Sequence, residues 1–387
     1  MSEQSDGLSI APSADSDVPR PKRKHLYEID IVRILTFACV IAVHVTSHTV
    51  APTDILLNGL LALVHFTREV FFALTGFVLV YSYLNHPIPM RKFWPKRFLL
   101  VGVPYLVWSA IYVVLPWLHT PVGNAWSLIP LYIHDVLFGT AYYHLYFLLI
   151  TMQVYLLFPV LMWLIRKTRG HHILVLSISF AGQLLITGLD MYRPGSLHWI
   201  NGYDTVINYQ GFIILGAVAA DHSTVFLSWV RSHRRLIGLI TLTTGAAMIA
   251  VYLIGIHAGY TPGHAGAPVQ PMIMVWSIGV GLGFLALGTL WADRRKAGTH
   301  LARGVDLASD RSFGIFLSHP IVLWFLLWVG DDWFERTVPR PWLTLVMYIL
   351  VVVGAVLVTE LARRSPLSLA LTGRPFKRSR RSVGGAP

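Results

Sequence analysis

The chain has 387 residues, of which 55% are hydrophobic and only 13% are charged, with a mean hydropathy of +0.58. A soluble domain carries about 25% charged residues, so this composition excludes a water-soluble protein of this size. The net charge of +12 would suggest nucleic acid for a soluble protein. In a membrane protein it favours basic loops that set topology and contact anionic lipid. The single cysteine, Cys39, excludes an internal disulfide and a Cys-based metal site.

Two polar tails enclose a long apolar region. Residues 1–26 and 363–387 are basic and poor in apolar side chains, and we expect both to be disordered cytoplasmic tails. The N-terminal tail lacks the pattern of a signal peptide. Between them, residues 27–362 are predicted to form one all-α, polytopic membrane domain of about ten transmembrane helices. The apolar runs lie at 28–48, 59–84, 98–118, 143–165, 172–189, 205–220, 236–256, 269–292, 312–330 and 341–362.

The distribution of Lys and Arg tests this topology. With both termini in the cytoplasm, 26 of the 31 basic residues fall in cytoplasmic segments and four fall outside, while Arg33 lies within the first span. Such an asymmetry is what the positive-inside rule requires. Adding or removing one span in mid-chain would destroy the alternation. The run at 205–220 is the shortest and has a polar start, so it is the weakest of the predicted spans.

The predicted outer loops, 116–143 and 189–204, are rich in Trp, Tyr and His. Aromatic side chains are common at membrane interfaces, and this alone accounts for them. Aromatic faces with polar neighbours also suit sugar rings, so a carbohydrate ligand outside the membrane is the alternative interpretation.

Ionisable side chains within a span are costly and indicate function. In the first span Arg33 and His44 are eleven residues apart, which is about 20° past three full helical turns and about 16 Å along the axis. They are therefore predicted to share one helix face, each near a different membrane surface and both facing the same cavity. Asp30 precedes Arg33 by three residues and is expected to pair with it.

The simpler interpretation is that Arg33 extends to the inner surface and His44 only hydrogen-bonds a neighbouring helix. A buried imidazole without an acidic neighbour stays neutral, and the neutral form can accept a proton from a hydroxyl. His48 follows His44 by four residues, which would suit a metal pair. No carboxylate or cysteine lies near these two histidines on this span, so we predict no metal site and no tightly bound cofactor.

Several segments carry a resemblance. They are Ile29-Asp30 with Arg33 and His44, then Phe71-Phe72-Ala73-Leu74-Thr75-Gly76-Phe77, then Lys96-Arg97 with Pro104 to Ser109, then His144-Leu145-Tyr146-Phe147-Leu148, and finally Ser312 to Pro320. In this order they resemble membrane acyltransferase family three, in its polysaccharide-modifying branch. Each match is weak alone, but together they extend from about residue 27 to 322.

The resemblance implies an O-acyltransferase that moves an acyl group, acetyl by default, from cytoplasmic acyl-CoA to a hydroxyl of an extracytoplasmic sugar or glycan. It implies that Arg33 and His44 are the catalytic pair. Arg33 would hold the donor, together with Lys96, Arg97 and Arg91 near its phosphates. It also implies a multi-pass protein of a bacterial plasma membrane. Whether His44 acts as a general base or carries the acyl group remains open.

The chain departs from the family pattern at Leu100, where a second Arg is usual, so Arg91 or Lys92 is the expected substitute. His144 and His319 are candidates to face the same cavity as His44, although His319 alone would more simply be a packing residue. Arg68 and Glu69 begin the second span from outside.

Arg68 and Glu69 are adjacent and cannot face each other across a helix surface, so each is expected to need a separate partner. For Glu69 that partner would be a histidine, which the carboxylate would orient.

Two other functions fit parts of the pattern. Relatives resembling the His144 to Phe147 branch have been regarded as polysaccharide exporters, but an exporter built from inverted repeats should show internal symmetry and paired broken helices. Neither is clear in this sequence. A structural membrane protein would leave Arg33 and His44 unexplained.

Overall fold

The computed structural model describes residues 25–84, 88–121, 123–196, 204–339 and 342–376, and the described chain is all-helical. The helices are α1 Tyr27–Thr49, α2 Ile55–Val64, α3 Thr67–Tyr83, α4 Met90–His119, α5 Leu128–Phe138, α6 Tyr146–Lys167, α7 His172–Tyr192, α8 Gln210–Asp221, α9 Ser223–Ser232, α10 Arg234–His257, α11 Pro262–Ala265, α12 Met272–Arg294, α13 His300–Thr337, α14 Trp342–Arg363 and α15 Ser368–Thr372. The predicted fold class is confirmed.

Nine helices in the described ranges are long and apolar enough to cross a membrane, and a bent pair raises the number to ten if it forms one span. In this count α2 and α3 together form one span, Ile55–Tyr83. The number of spans agrees with the number of predicted runs because most runs are long enough to cross the membrane. A helix rises about 1.5 Å per residue, so about 20 residues span a hydrocarbon core of about 30 Å. The orientation of the termini remains a prediction from the basic loops.

The weakest predicted span, 205–220, is the bent one. A short 3-10 turn, Val206–Tyr209, leads into α8, and α9 follows after a bend of 93° at His222. The segment from 206 to 221 would rise only about 24 Å as a helix, which is short for a full crossing. The prediction of a simple span is therefore corrected to a broken one.

Two other helices exceed their predicted runs at the basic end, because charged residues continue the helix beyond the apolar stretch. Helix α4 begins at Met90 rather than at 98, and α13 begins at His300 rather than at 312. The predicted outer loop 116–143 also contains a helix, α5, which packs on α4. Tyr105 donates a hydrogen bond to the carbonyl of Val136 at 2.6 Å, which fastens α5 to α4.

Part of the predicted disordered C-terminal tail is folded. Residues 368–372 form α15, in which Ser368 and Thr372 are buried. The indole N–H of Trp108 donates to the carbonyl of Leu371 at 3.1 Å, which ties α15 to α4. These contacts supply the buried area and the hydrogen bonds that composition alone did not reveal. Residues 1–24 and 377–387 of the two predicted tails lie outside the described residues.

Helices α3 and α8 approach each other most closely, at two glycines. A Cβ atom on Gly216 would lie 1.9 Å from the carbonyl oxygen of Ala73, and one on Gly76 would lie 2.2 Å from that of Ile213. Small residues let helix backbones approach in membranes, where packing rather than hydrophobic burial drives association. Both glycines are therefore required by the contact.

We expect Gly216→Ala to lower stability by about 1–3 kcal/mol, because the added methyl group must push two backbones apart. The measurement is the thermal unfolding midpoint of the purified protein in detergent. Gly238→Ala is the matched control, since a Cβ on this helical glycine meets nothing within 4 Å. Equal midpoints for the two variants would contradict the close contact.

Candidate active site

Helix α1 carries the two central candidates near its opposite ends. Its first turns contain Asp30 and Arg33, and its fifth contains His44. The predicted pairing is confirmed, with Arg33 Nη1 3.7 Å from Asp30 Oδ1. The hydroxyl of Ser309 on α13 donates to Asp30 at 2.7 Å and accepts from Arg33 at 3.1 Å. His25 lies 2.5 Å from the other carboxylate oxygen of Asp30. The position of Arg33 is thus fixed by two helices.

His44 lines a cavity of about 890 Å³, which we call the histidine cavity. Its walls come from α1, from the start of α3 and from the segment between α5 and α6. Tyr142, Tyr143 and Tyr146 contribute aromatic faces, and Asp204 contributes a carboxylate. Aromatic and apolar walls with a few polar groups are the usual lining of a small-molecule site. Much of the remaining lining is apolar, including Val40 and Val43.

Three imidazoles gather behind this cavity. The rings of His44 and His319 stack with centroids 5.3 Å apart, and His144 meets His319 edge-on at 5.5 Å. His144 and His319 are fully buried. Tyr143 also packs against His44, with ring centroids 4.4 Å apart. His144 and His319 therefore support the ring of His44, rather than lining the cavity beside it.

The protonation of His319 follows from its neighbour. Its Nδ1 lies 2.7 Å from the carbonyl oxygen of Phe316, and a carbonyl can only accept, so Nδ1 carries the proton. In the neutral ring Nε2 is then a proton acceptor. This Nε2 and the Nε2 of His44 are both buried without a hydrogen-bond partner in the described part of the chain.

Arg68 and Glu69 are placed differently from the prediction. They pair with each other, with Arg68 Nη2 3.6 Å from Glu69 Oε1. Both residues lie in the first turn of α3, just after the break that follows α2. The Arg68 side chain is long enough to bring its guanidinium to the carboxylate of its neighbour. Arg68 also donates to the carbonyl of Pro268 and lines the histidine cavity. Glu69 is buried beside Arg68 rather than beside a histidine.

Arg33 lines a second, smaller cavity of about 240 Å³, which we call the arginine cavity. Arg97 and Arg374 share it, and Asp310 is its acidic member. Arg374 Nε lies 3.6 Å from Asp310. Three guanidinium groups around one small cavity suit a phosphate-bearing ligand, because guanidinium binds phosphate oxygens in a bidentate manner.

Arg97 is held by aromatic rings. Its guanidinium carbon lies 5.2 Å from the ring centroid of Tyr83, 5.7 Å from that of Tyr155 and 5.8 Å from that of Phe93. It also donates to the Tyr83 hydroxyl at 3.1 Å. The other predicted donor-binding residues, Lys96 and Arg91, are exposed on the first turns of α4 and line neither cavity.

The folded C-terminal segment supplies the cation that the sequence lacks at Leu100. Gly373 adopts a positive φ of 64°, and a Cβ there would lie 2.6 Å from the Leu100 carbonyl oxygen. This close approach brings the next residue, Arg374, to the wall that Leu100 also lines. The sequence marked Arg374 only as one of several tail cations, and no spacing rule would have singled it out.

Phenylalanine rings separate the two cavities. Phe71 lines the arginine cavity and Phe147 lines the histidine cavity, and their ring centroids are only 5.2 Å apart. Phe37 and Phe316 complete this phenylalanine layer, with centroids 5.3 Å apart. Arg33 and His44 thus share a helix face as predicted, but they line different cavities. Eleven residues of helix leave room for the layer between them.

Besides Arg374, sequence reasoning missed three contributors to this site. Tyr143 and Asp204 lie in segments that were treated as loops, and Asp310 carried no signal in the sequence. Asp204 is positioned by Gln153, which donates to its carbonyl at 2.7 Å. The neighbouring residues 197–203 of the predicted aromatic loop lie outside the described residues.

The fold and the paired cavities define a polytopic helical membrane protein with an ionisable site on each side of a phenylalanine layer. A family model described as an acyltransferase domain matches residues 26–360, which is most of the chain. The chain therefore belongs to acyltransferase family 3 and is a membrane acyltransferase. Comparisons with curated proteins and with solved structures found no significant match.

Proposed function

We propose that this acyltransferase moves an acyl group, acetyl first among them, from cytoplasmic acyl-CoA to a hydroxyl of an extracytoplasmic sugar or glycan. The protein would lie in a bacterial plasma membrane. The observation that carries the proposal is the pair of cavities at opposite ends of α1, one with three arginines and one with His44. A transferase that joins substrates from two sides of a membrane needs such a division.

The arginine cavity suits the donor. Arg33, Arg97 and Arg374 would bind its phosphates, because the three guanidinium groups converge there and outnumber the two carboxylates beside them, Asp310 and Asp30. The basic loops predict that this side faces the cytoplasm, where acyl-CoA is found. From Arg33 to His44 the helix rises about 16 Å, a distance comparable to an extended pantetheine arm. The thioester could then approach His44 while the phosphates stay near the arginines.

The histidine cavity suits the acceptor. Its volume of about 890 Å³ falls in the range of small-molecule sites. Tyr142 and Tyr143 offer ring faces, while Asp204 and Arg68 offer polar contacts to hydroxyl groups. The cavity contains more cation and imidazole than carboxylate, which favours a neutral or acidic sugar.

In the reaction that we propose, the His44 imidazole takes the proton of the acceptor hydroxyl. The oxygen attacks the thioester carbonyl, an ester C–O bond forms and the C–S bond breaks. The departing thiolate then receives the proton from His44, so neither proton nor charge is left over. The stacked ring of His319 and the tilted ring of Tyr143 would hold the imidazole in position for both transfers.

The test is transfer in proteoliposomes with labelled acetyl-CoA supplied on the side of the basic loops. We expect release of free CoA and label in added extracytoplasmic glycan. Acetyl-CoA supplied only on the other side should give no transfer. A protein that neither binds nor consumes acyl-CoA of any chain length would contradict the proposal and favour the export function.

The phenylalanine layer should limit the acyl group, because the acyl chain must pass between Phe71 and Phe147 to reach His44. We expect Phe71→Ala to raise the ratio of kcat/KM for butyryl-CoA over acetyl-CoA by about tenfold, since a methylene group in an apolar site is worth about 1–3 kcal/mol. Phe71→Leu should give a smaller rise, and it is the variant to measure if Phe71→Ala does not fold.

Phe180→Ala is the control for this selectivity change. Phe180 is also a partly buried ring, and it stacks edge-on against Phe212 with centroids 5.1 Å apart, away from both cavities. Its variant should keep the wild-type ratio. An unchanged ratio in both Phe71 variants would show that the acyl chain takes another path.

A further inference from the structure

A compact group of side chains that commonly bind metal lies outside both cavities, where α7 begins beside the bend between α8 and α9. His172, Asp221 and His222 place one possible ligand atom each within 4.8 Å of one another. His172 Nδ1 is 3.0 Å from His222 Nε2, and His222 Nε2 is 3.9 Å from Asp221 Oδ2. The acyl-transfer chemistry proposed above does not use this group.

The tautomer of His172 is fixed by a backbone contact. Its Nε2 lies 2.9 Å from the carbonyl oxygen of Ile165, at the end of α6. Because a carbonyl only accepts, Nε2 carries the proton and Nδ1 keeps its lone pair. That lone pair faces Nε2 of His222, 3.0 Å away. Metal-binding histidines characteristically donate their other ring N–H to a carbonyl or carboxylate in this way.

Asp221 is oriented in a similar manner. Arg169 Nη2 contacts Asp221 Oδ1 at 3.2 Å, which leaves Oδ2 facing His222. One oxygen is thus engaged by a neighbouring cation while the other remains free to act as a ligand. His172 and Asp221 are the most buried of the three residues. Each is held by a contact from the atom that does not face His222: His172 through Nε2 and Asp221 through Oδ1.

We propose that His172, Asp221 and His222 bind a divalent transition-metal ion of the zinc class. Two imidazoles and one carboxylate are preferred ligands of Zn²⁺, and a water would complete four-coordination. Two nitrogens bound to one tetrahedral Zn²⁺ lie about 3.4 Å apart, close to the 3.0 Å seen here. The side chain of His222 is 57% exposed, so an ion can enter from solvent.

The ion would have a structural role. His222 lies at the 93° bend between α8 and α9, and His172 begins α7. A shared ion would tie this bend to the start of α7, and so fix the broken span against a straight one. Since the ion binds the folded chain, it should also raise thermal stability by mass action.

The experiment uses full-length, tag-free protein in detergent, stripped with a chelator and titrated with Zn²⁺ by calorimetry. We expect about one tight site per chain, and a Co²⁺ spectrum of the tetrahedral type in the same protein. His222→Ala should weaken Zn²⁺ binding at least about tenfold, with an unchanged fold because this side chain is largely exposed. Asp221→Asn should weaken it as well.

His171→Ala provides the matched control, because His171 is the exposed histidine next to His172 and stands outside the group. It should bind Zn²⁺ like wild type and show the same rise in unfolding midpoint. If wild type and His222→Ala bind Zn²⁺ equally, or wild type binds none, the three side chains form only a hydrogen-bonded contact and the proposal is wrong. Acyl transfer is not the readout, so this outcome is independent of the proposed function.

Discussion

His44→Ala is expected to abolish acyl transfer while leaving acyl-CoA binding intact. A positioned general base contributes about 10²- to 10⁴-fold to a rate, and His44 is the only imidazole among the described residues that both lines the histidine cavity and stacks on His319. The donor phosphates would contact the arginine cavity, on the other side of the phenylalanine layer. The measurement is kcat for CoA release in proteoliposomes, together with acyl-CoA affinity in detergent.

His48→Ala controls for damage to the end of α1, because His48 lies one turn further along α1, is exposed and lines the same cavity, but is not the ring that stacks on His319. The Nδ1 of His48 donates to the His44 carbonyl at 2.7 Å, so the substitution removes a contact at the end of α1 and keeps the His44 imidazole. We expect most of the activity to remain. Comparable losses in both histidine variants would mean that damage to the end of α1, and not the missing base, explains the effect.

The same experiment separates the two possible roles of His44. If His44 carried the acyl group, brief incubation of wild type with labelled acetyl-CoA and no acceptor would leave label on the protein, and His44→Ala would lose it. With His44 as a general base, no such label accumulates. We expect the second result, because in direct transfer the proton that His44 takes is returned to the departing thiolate.

Much of the fold follows from the sequence alone. Apolar length and the alternation of basic loops predict the number of spans, because the lipid leaves helices as the only backbone arrangement for such runs. The spans therefore agree with prediction except at 205–220, where a bend of 93° interrupts an apolar run that is too short. The folded C-terminal segment was missed because its stability comes from contacts with α4, through Trp108 and Leu100, and not from its own composition.

The candidate site was predicted by residue type but not by arrangement. Helical periodicity correctly placed Arg33 and His44 on one face, and motif resemblance brought in His144 and His319. Periodicity within one helix cannot reveal what other helices insert between two residues, so the phenylalanine layer was unforeseen. Arg374 depends on a tertiary contact with a residue more than 270 positions away.

The structure also gives the resembling motifs a common position. Phe71 comes from the second of them, Phe147 from the fourth and Phe316 from the fifth, and all three rings meet in the phenylalanine layer. Each of these three motifs also contains a second residue with a different structural role. Gly76 lies in the α3–α8 contact, His144 packs against His319, and His319 stacks on His44. All three motifs therefore contribute to the boundary between the two cavities.

Arg33→Ala is expected to weaken acyl-CoA binding about 10- to 100-fold, which corresponds to the loss of a charge-assisted contact of about 1.5–3 kcal/mol. The affinity of Arg33→Lys for acyl-CoA should lie between those of wild type and Arg33→Ala. Lysine keeps the charge but lacks the planar guanidinium that binds phosphate through two hydrogen bonds. The measurement is equilibrium binding of acyl-CoA in detergent, compared with free CoA. If Arg33 binds the phosphate-bearing part of the donor, the affinities for acyl-CoA and for free CoA should fall by the same factor.

Arg234→Ala is the control for this prediction. Arg234 is also partly buried, with 26% of its side chain exposed against 28% for Arg33, and it pairs with Asp293 outside both cavities. Its variant should bind acyl-CoA like wild type. Because Asp30 keeps its contacts with Ser309 and His25 when Arg33 is removed, the wall of the cavity should survive the substitution. Unchanged binding in Arg33→Ala would therefore mean that the donor is held elsewhere, and the division of labour between the two ends of α1 would be wrong.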